Sequence, residues 1–191
     1  MFSKNQLASV HIPASVTVIE SSAFADNQLT EVAIPAGATF IGHSAFADNQ
    51  LTEVAIPAGV TSIENRAFAN NRLASIAIPY GVSDIGAEAF QDNQLAEVYL
   101  PDSLTVIGSS AFRNNRLTSV TIPDAVTRFE FYTFVDNPIA DVTIGADVSG
   151  SSIAGWGGFP EGFRIAYSEG GERAGVYTRR REGWEWDVEF R

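Results

Sequence analysis

The chain repeats itself every 22 residues, and that period decides what it can fold into before any local propensity is considered. Leucine or isoleucine recurs at Leu7, Leu29, Leu51, Leu73, Leu95, Leu117 and Ile139. Asparagine stands two residues ahead of each, at Asn5, Asn27, Asn49, Asn71, Asn93, Asn115 and Asn137. Proline keeps the same beat at Pro13, Pro35, Pro57, Pro79, Pro101 and Pro123, and phenylalanine at Phe24, Phe46, Phe68, Phe90, Phe112 and Phe134. Six units run from Asn5 to Asp136, and a partial seventh fades near Val148. Two units are close copies: Ala45 to Pro57 repeats Ala23 to Pro35 without a change.

Within one unit, Leu51, Val54 and Ile56 are the apolar positions of a stretch that Pro57 ends, since proline has no amide hydrogen for a ladder. Val60-Thr61-Ser62-Ile63 suits a second brief strand on the opposite side. Arg66 to Asn70 then reads as a single helical turn or tight bend with Ala67 and Phe68 inward, followed by an asparagine able to satisfy turn backbone. A lone unit cannot fold. Its apolar side chains are worth about 1.5 to 3 kcal/mol each on burial, whereas ordering each residue costs about 1.5 kcal/mol. Units must therefore stack into a solenoid, with equivalent strands pairing in parallel about 4.8 Å apart.

The string L-x-x-V-x-I-P-x-x-V-T-x-I-x-x-x-A-F-x-x-N resembles the leucine-rich repeat of the BspA-like, treponemal type, and the match runs from residue 5 to 149. The resemblance implies a leucine-rich-repeat right-handed superhelix, mainly β with short helical turns and a parallel concave sheet. It also implies a bacterial cell-surface or secreted protein engaged in adhesion or host-protein binding. Tyr167 to Thr178, followed by Trp184, is similar to a Y-x-x-x-G-x-x-A-G-x-Y-T element at the end of spirochaete members. At the start no N-terminal cap precedes the first unit, only Met1 to Lys4.

Residues 1–149 are thus read as the solenoid and 150–191 as a small antiparallel β cap. The last segment holds all three tryptophans, and Phe163–Tyr167, Gly175–Arg179 and Trp184–Phe190 read as short strands between glycine turns. Trp156, Phe163, Tyr177, Trp184 and Trp186 are its expected anchors.

The absence of cysteine excludes disulfides, zinc-thiolate sites and thiol catalysis. His11 and His43 fall at different phases of the repeat, and no hydrolase, P-loop, zincin or calcium-loop motif occurs. Gly155 to Gly158 reads as a turn rather than a phosphate cradle. Arg179-Arg180-Arg181 sits among acids, and the net charge of −11 disfavours nucleic acid or an anionic membrane as partner. No apolar stretch approaches a membrane span and no secretory leader is recognisable in this sequence. No cofactor or metal is expected.

The acid is phased. Residues 1–149 carry 16 acidic and 6 basic side chains. If the sixth and eighth positions of each unit face inward, the fifth and seventh line the concave face. The fifth column is Ser9, Glu31, Glu53, Ser75, Glu97, Ser119 and Asp141; the seventh is His11, Ala33, Ala55, Ala77, Tyr99, Thr121 and Thr143. Such a column is a solvated face, a docking surface for a basic or host-derived protein, or a weak divalent-cation site between neighbouring glutamates. The docking reading assigns partner contacts to His11, Glu31, Glu53, Glu97, Tyr99, Thr121 and Asp141. The competing reading is a structural, self-assembling surface spacer, with a homodimer or continued stack through a first rung that exposes Leu7, Ile12, Val16, Ile19 and Phe24 unless Phe2 covers them. An enzyme finds no supporting constellation.

Overall fold

A computed structural model describes residues 2–145, Val148, Phe159, 175–180 and 183–187, with side chains of the last two segments limited to Val176, Tyr177 and Thr178. The chain is a β-solenoid of about six turns, one 22-residue rung per turn, counted here from each column asparagine. One column of strands is built by the second apolar stretch of each rung: β1 (Val18–Ile19), β2 (Phe40–Ile41), β3 (Ser62–Ile63), β5 (Asp84–Ile85), β7 (Val106–Ile107) and β9 (Arg128–Phe129). These pair in parallel, β1 with β2 and β3 through β5 and β7 to β9, each residue opposite its equivalent 22 positions on. The second column holds β4 (Ser75–Ala77), β6 (Glu97–Tyr99), β8 (Ser119–Ile122) and β10 (Asp141–Ile144). Between the columns a turn opens on each proline, whose carbonyl accepts from the amide three residues later, as in Val60 N to Pro57 O at 3.1 Å.

Of the two forms expected for the third side of each rung, a helical turn or a tight bend, the structure has the tight bend. No helix occurs among the described residues. The physical reason lies in two left-handed residues per rung: Arg66 (φ 58°) and Asn70 (φ 55°) bracket Ala67 to Ala69, and the same pair recurs at Ser44 and Asp48 and at Glu88 and Asp92. A helix needs right-handed backbone throughout, so a residue in the left-handed region breaks it. Alternate amides also leave the rung. Arg66, Phe68 and Asn70 donate to Ala87, Ala89 and Gln91 of the next rung at 2.9 Å, while Ala67 and Ala69 donate back to Glu64 and Arg66 at 3.1 Å. The turn column is therefore a ladder in its own right.

The core is two stacks. Phe2, Phe24, Phe46, Phe68, Phe90, Phe112 and Phe134 lie face to face with ring centroids 5.4–5.8 Å apart and interplanar angles of 6–10°. Beside them runs the column of leucines, fully buried from Leu29 to Leu117. Each column asparagine from Asn27 to Asn137 is buried and ties its rung to those before. Asn71 Nδ2 donates to Phe46 O (2.9 Å), Phe68 O (3.2 Å) and Ala69 O (3.2 Å), and its Oδ1 accepts from Leu51 N at 3.0 Å.

At the far end, β11 (Gly175–Arg180) pairs antiparallel with β10, and β12 (Gly183–Asp187) with β11. Tyr177 is fully buried, as expected of an anchor. Phe159, not expected, stacks on Phe129 at 5.2 Å and meets Phe134 at 5.4 Å, closing the phenylalanine stack. Trp156, Phe163 and the strand over 163–167 lie outside the described residues, as do the side chains of Trp184 and Trp186. At the near end the expected apolar edge is largely covered. Ile12, Ile19 and Phe24 are 8%, 3% and 6% exposed, and Leu7 and Val16 are half-buried, because Phe2 stacks on Phe24 and the second rung covers the rest.

Candidate binding surface

The fifth and seventh positions of each rung point outward and the sixth and eighth inward, as alternation along an extended segment requires. Ser9, Glu31, Glu53, Ser75, Glu97 and Ser119 are exposed in the fifth column, and His11, Ala33, Ala55, Ala77, Tyr99 and Thr121 in the seventh. Beneath them Ile76, Val120 and Val142 are 2%, 4% and 0% exposed.

Five of the side chains assigned to a partner line two recesses. Glu31 and Glu53 flank a trough of about 1030 Å³ that runs from the first rung to the fourth over a floor of Ala33, Ala55 and Ala77. Glu97, Tyr99 and Thr121 surround a smaller recess of about 340 Å³ further along. Tyr99 is 61% exposed and its hydroxyl donates to Glu97 Oε2 at 2.8 Å. That hydrogen bond, reinforced by the carboxylate's charge, raises the phenol's pKa above its ordinary value. His11 lines neither recess. Asp141 is half-buried and its Oδ1 accepts from the Thr178 hydroxyl at 2.8 Å.

Tyr80, 80% exposed, was missed by reading the fifth and seventh columns alone. It sits at the tip of the turn after Pro79, where Gly81 adopts φ 109°. Its signal in the sequence is an aromatic in a column that otherwise holds only alanine and aspartate: Ala14, Ala36, Ala58, Asp102 and Asp124. Phe131 and Tyr132, 58% and 54% exposed, form an aromatic pair on the turn column, with centroids 6.3 Å apart.

Among the described residues, no three His, Asp or Glu side chains are grouped to hold a metal ion. No helix among them is long and apolar enough to cross a membrane.

Stacked parallel rungs, a buried asparagine ladder and a leucine column together define a leucine-rich-repeat solenoid. The chain belongs to the BspA type leucine rich repeat family, whose model matches in six copies over residues 1–117 and 39–152. A solved leucine rich cell surface protein from Faecalibacterium prausnitzii A2-165 is similar at 25% identity with a TM-score of 0.52, covering 78% of this chain and 51% of that one. A leucine-rich repeat protein from Bacteroides ovatus ATCC 8483 matches at 22% identity with a TM-score of 0.48, covering 74% of this chain and 46% of that one. The chain thus spans about half the length of these structures. A search of curated proteins gives no match.

Proposed function

We propose that the chain is a non-enzymatic protein-binding module of a bacterial surface or secreted protein, and that its partner docks on the face formed by the fifth and seventh columns. The reading includes adhesion or host-protein binding, with residues 150–191 closing the last rung. One observation carries it: the trough over Ala33, Ala55 and Ala77, where small side chains leave a recess four rungs long flanked by Glu31 and Glu53. Tyr99 stands beyond it as an exposed aromatic, the residue type that most often anchors an interface. The cell-surface description of the similar Faecalibacterium protein supports the location. Self-association through the first rung has less support, because Ile12, Ile19 and Phe24 are already covered.

The test is a binding screen of the full chain against a panel of purified extracellular proteins, followed by two neutral substitutions. Ala55→Trp fills the trough, and affinity for a true partner should fall about tenfold or more, the loss of roughly 1.4 kcal/mol or more. Thr61→Trp, on an exposed position of the other strand column, should leave it unchanged. A partner that binds the Ala55→Trp protein normally removes this face from consideration.

A further inference from the structure

Along the column of β1, β2, β3, β5, β7 and β9, the same pair of bonds closes every step from one rung to the next except one. Thr39 N donates to Thr17 O and Gly42 N to Ile19 O, both at 2.8 Å. Ser83 N donates to Thr61 O at 3.0 Å and Gly86 N to Ile63 O at 2.8 Å. Thr105 N and Gly108 N reach Ser83 O and Ile85 O at 2.8 Å, and Thr127 N and Glu130 N reach Thr105 O and Ile107 O at 3.0 Å. The step from the second rung to the third is the exception. Among the described residues Thr61 N is not bonded to Thr39 O, nor Glu64 N to Ile41 O. β2 and β3 are therefore neighbours without being bonded, and the column divides into a sheet of two strands and a sheet of four.

The cause is one side chain. The second donor of the pair is a glycine at Gly42, Gly86 and Gly108. A Cβ on Gly42 would lie 2.6 Å from Ser21 N, and one on Gly86 2.6 Å from Asn65 N, closer than a side-chain carbon can sit. Glycine thus lets the end of the strand settle onto the rung before. Glu64 holds the equivalent place at the unbonded step, and its Cβ keeps the third rung off the second. Glu130 carries the same side chain and still closes its step, because its Oε2 accepts from Ser109 N of the rung before at 3.1 Å. Glu64 makes no such bond among the described residues; its Oε1 accepts from the Ser62 hydroxyl at 3.0 Å. The core is also thinner here. Its inward column runs Val16, Ala38, Val60, Val82, Leu104 and Val126, so the one alanine faces the open step.

The opposite corner of the same step is held. Ser44, Phe46 and Asp48 donate to Asn65, Ala67 and Ala69 at 2.9 Å, and Gln50 N donates to Leu29 O at 2.9 Å. Asn71 Nδ2 joins Phe46 O of the second rung to Phe68 O of the third. A step that is bonded along one corner and free along the facing side is a hinge. We propose that rungs one and two tilt as a unit against rungs three to six about the asparagine corner, opening and closing the gap between β2 and β3. The trough on the binding face has two rungs on either side of this seam, so the tilt sets the angle between its halves. The hinge stands without the docking-face reading, and its test needs no partner.

Two measurements on the full chain test it. The first is amide hydrogen exchange: protection at Glu64 should be at least about tenfold below that at Gly86 and Gly108, and Glu64→Gly should bring residue 64 up to their level. The second is the distance between spin labels on Thr17→Cys and Thr127→Cys, read by double electron–electron resonance. Both positions are exposed on the side that opens, the chain has no cysteine of its own, and five steps of about 4.8 Å put them about 24 Å apart. The distance distribution should be at least about twice as wide in the parent as in Glu64→Gly, where glycine lets the third rung close. Ala38→Val, which restores the valine of the inward column, should narrow it in the same direction. Equal protection at residues 64, 86 and 108 of the parent means that there is no seam and overturns the proposal. A width that Glu64→Gly leaves unchanged means that the gap is static and overturns it too. Should Glu64→Gly fail to fold, Ala38→Val decides, and an unchanged width there has the same consequence.

Discussion

Each buried asparagine does the work of a short piece of backbone. Asn71 gives one acceptor to Leu51 N and two donors shared among three carbonyls, so a single amide closes the corner where the chain leaves the turn column. Removing it leaves several buried polar groups without partners, each worth about 1 to 3 kcal/mol. Asn71→Ala should therefore cost at least about 2 kcal/mol in urea unfolding, while Asn5→Ala, at an exposed position, should cost under about 0.5 kcal/mol. Asn71→Asp is the sharper variant. It keeps the acceptor but sets a carboxylate against three carbonyl oxygens, so its folded form favours the protonated acid, which can still donate. The folded state then binds a proton more tightly than the unfolded one, and the deficit relative to the parent should shrink as pH falls from 7 towards 4. A deficit that is the same at both pH values would mean that the donor side of this amide is not what matters.

At the scale of the element, the phenylalanine stack sets how much each rung depends on its neighbours. Phe90 is fully buried between Phe68 and Phe112, at 5.6 and 5.4 Å. Phe90→Ala should cost about 3 to 5 kcal/mol. Phe2→Ala removes a ring that is 55% exposed and stacked on one side only, and should cost about 1 kcal/mol or less by thermal unfolding. Equal losses at the two positions would contradict a stack whose interior rings carry the stability. These columns were legible in the sequence because one residue type every 22 positions has no other explanation than stacking. The left-handed turns were less so. Their signal was present in Asp26, Asp48, Asn70, Asp92, Asn114 and Asp136, residue types that tolerate positive φ, but Ser22, Ser44, Arg66, Glu88, Ser110 and Tyr132 at the other left-handed position follow no such preference. That the second strand column begins only at β4 was not legible at all. Glu-Val-Ala-Ile at 31–34 and 53–56 differs little from Glu-Val-Tyr-Leu at 97–100, yet the latter begins with a strand bonded to β4. A strand is defined by its partner on the neighbouring rung, which no single rung encodes. Phe159 escaped notice for the opposite reason: it completes the stack from outside the period.

The whole molecule is a sum of nearly equal parts, each touching only the part before and the part after. Deleting residues 46–67 removes one full period and joins Ala45 to Phe68, so every column stays in phase. That protein should fold, with a denaturant m-value lower by about a tenth, in proportion to the 22 of 191 residues lost. Deleting 46–66 instead puts the asparagine, leucine and proline columns one residue out of step on either side of the junction, and should give no cooperative unfolding transition. Comparable transitions for the two deletions would show that the repeat is a decoration rather than the unit of folding. The same modularity governs how the molecule answers a pull. Inter-rung hydrogen bonds at the turn column, the asparagines and the strands all run between one rung and the next, so tension that draws out a single strand of chain meets one rung's bonds at a time. Each rung that gives way pays out about 70 Å of slack, at 3.3 Å or so for each of its residues. A tether built this way would yield in steps and shed load gradually, where a domain with a single cooperative core would hold and then fail at once.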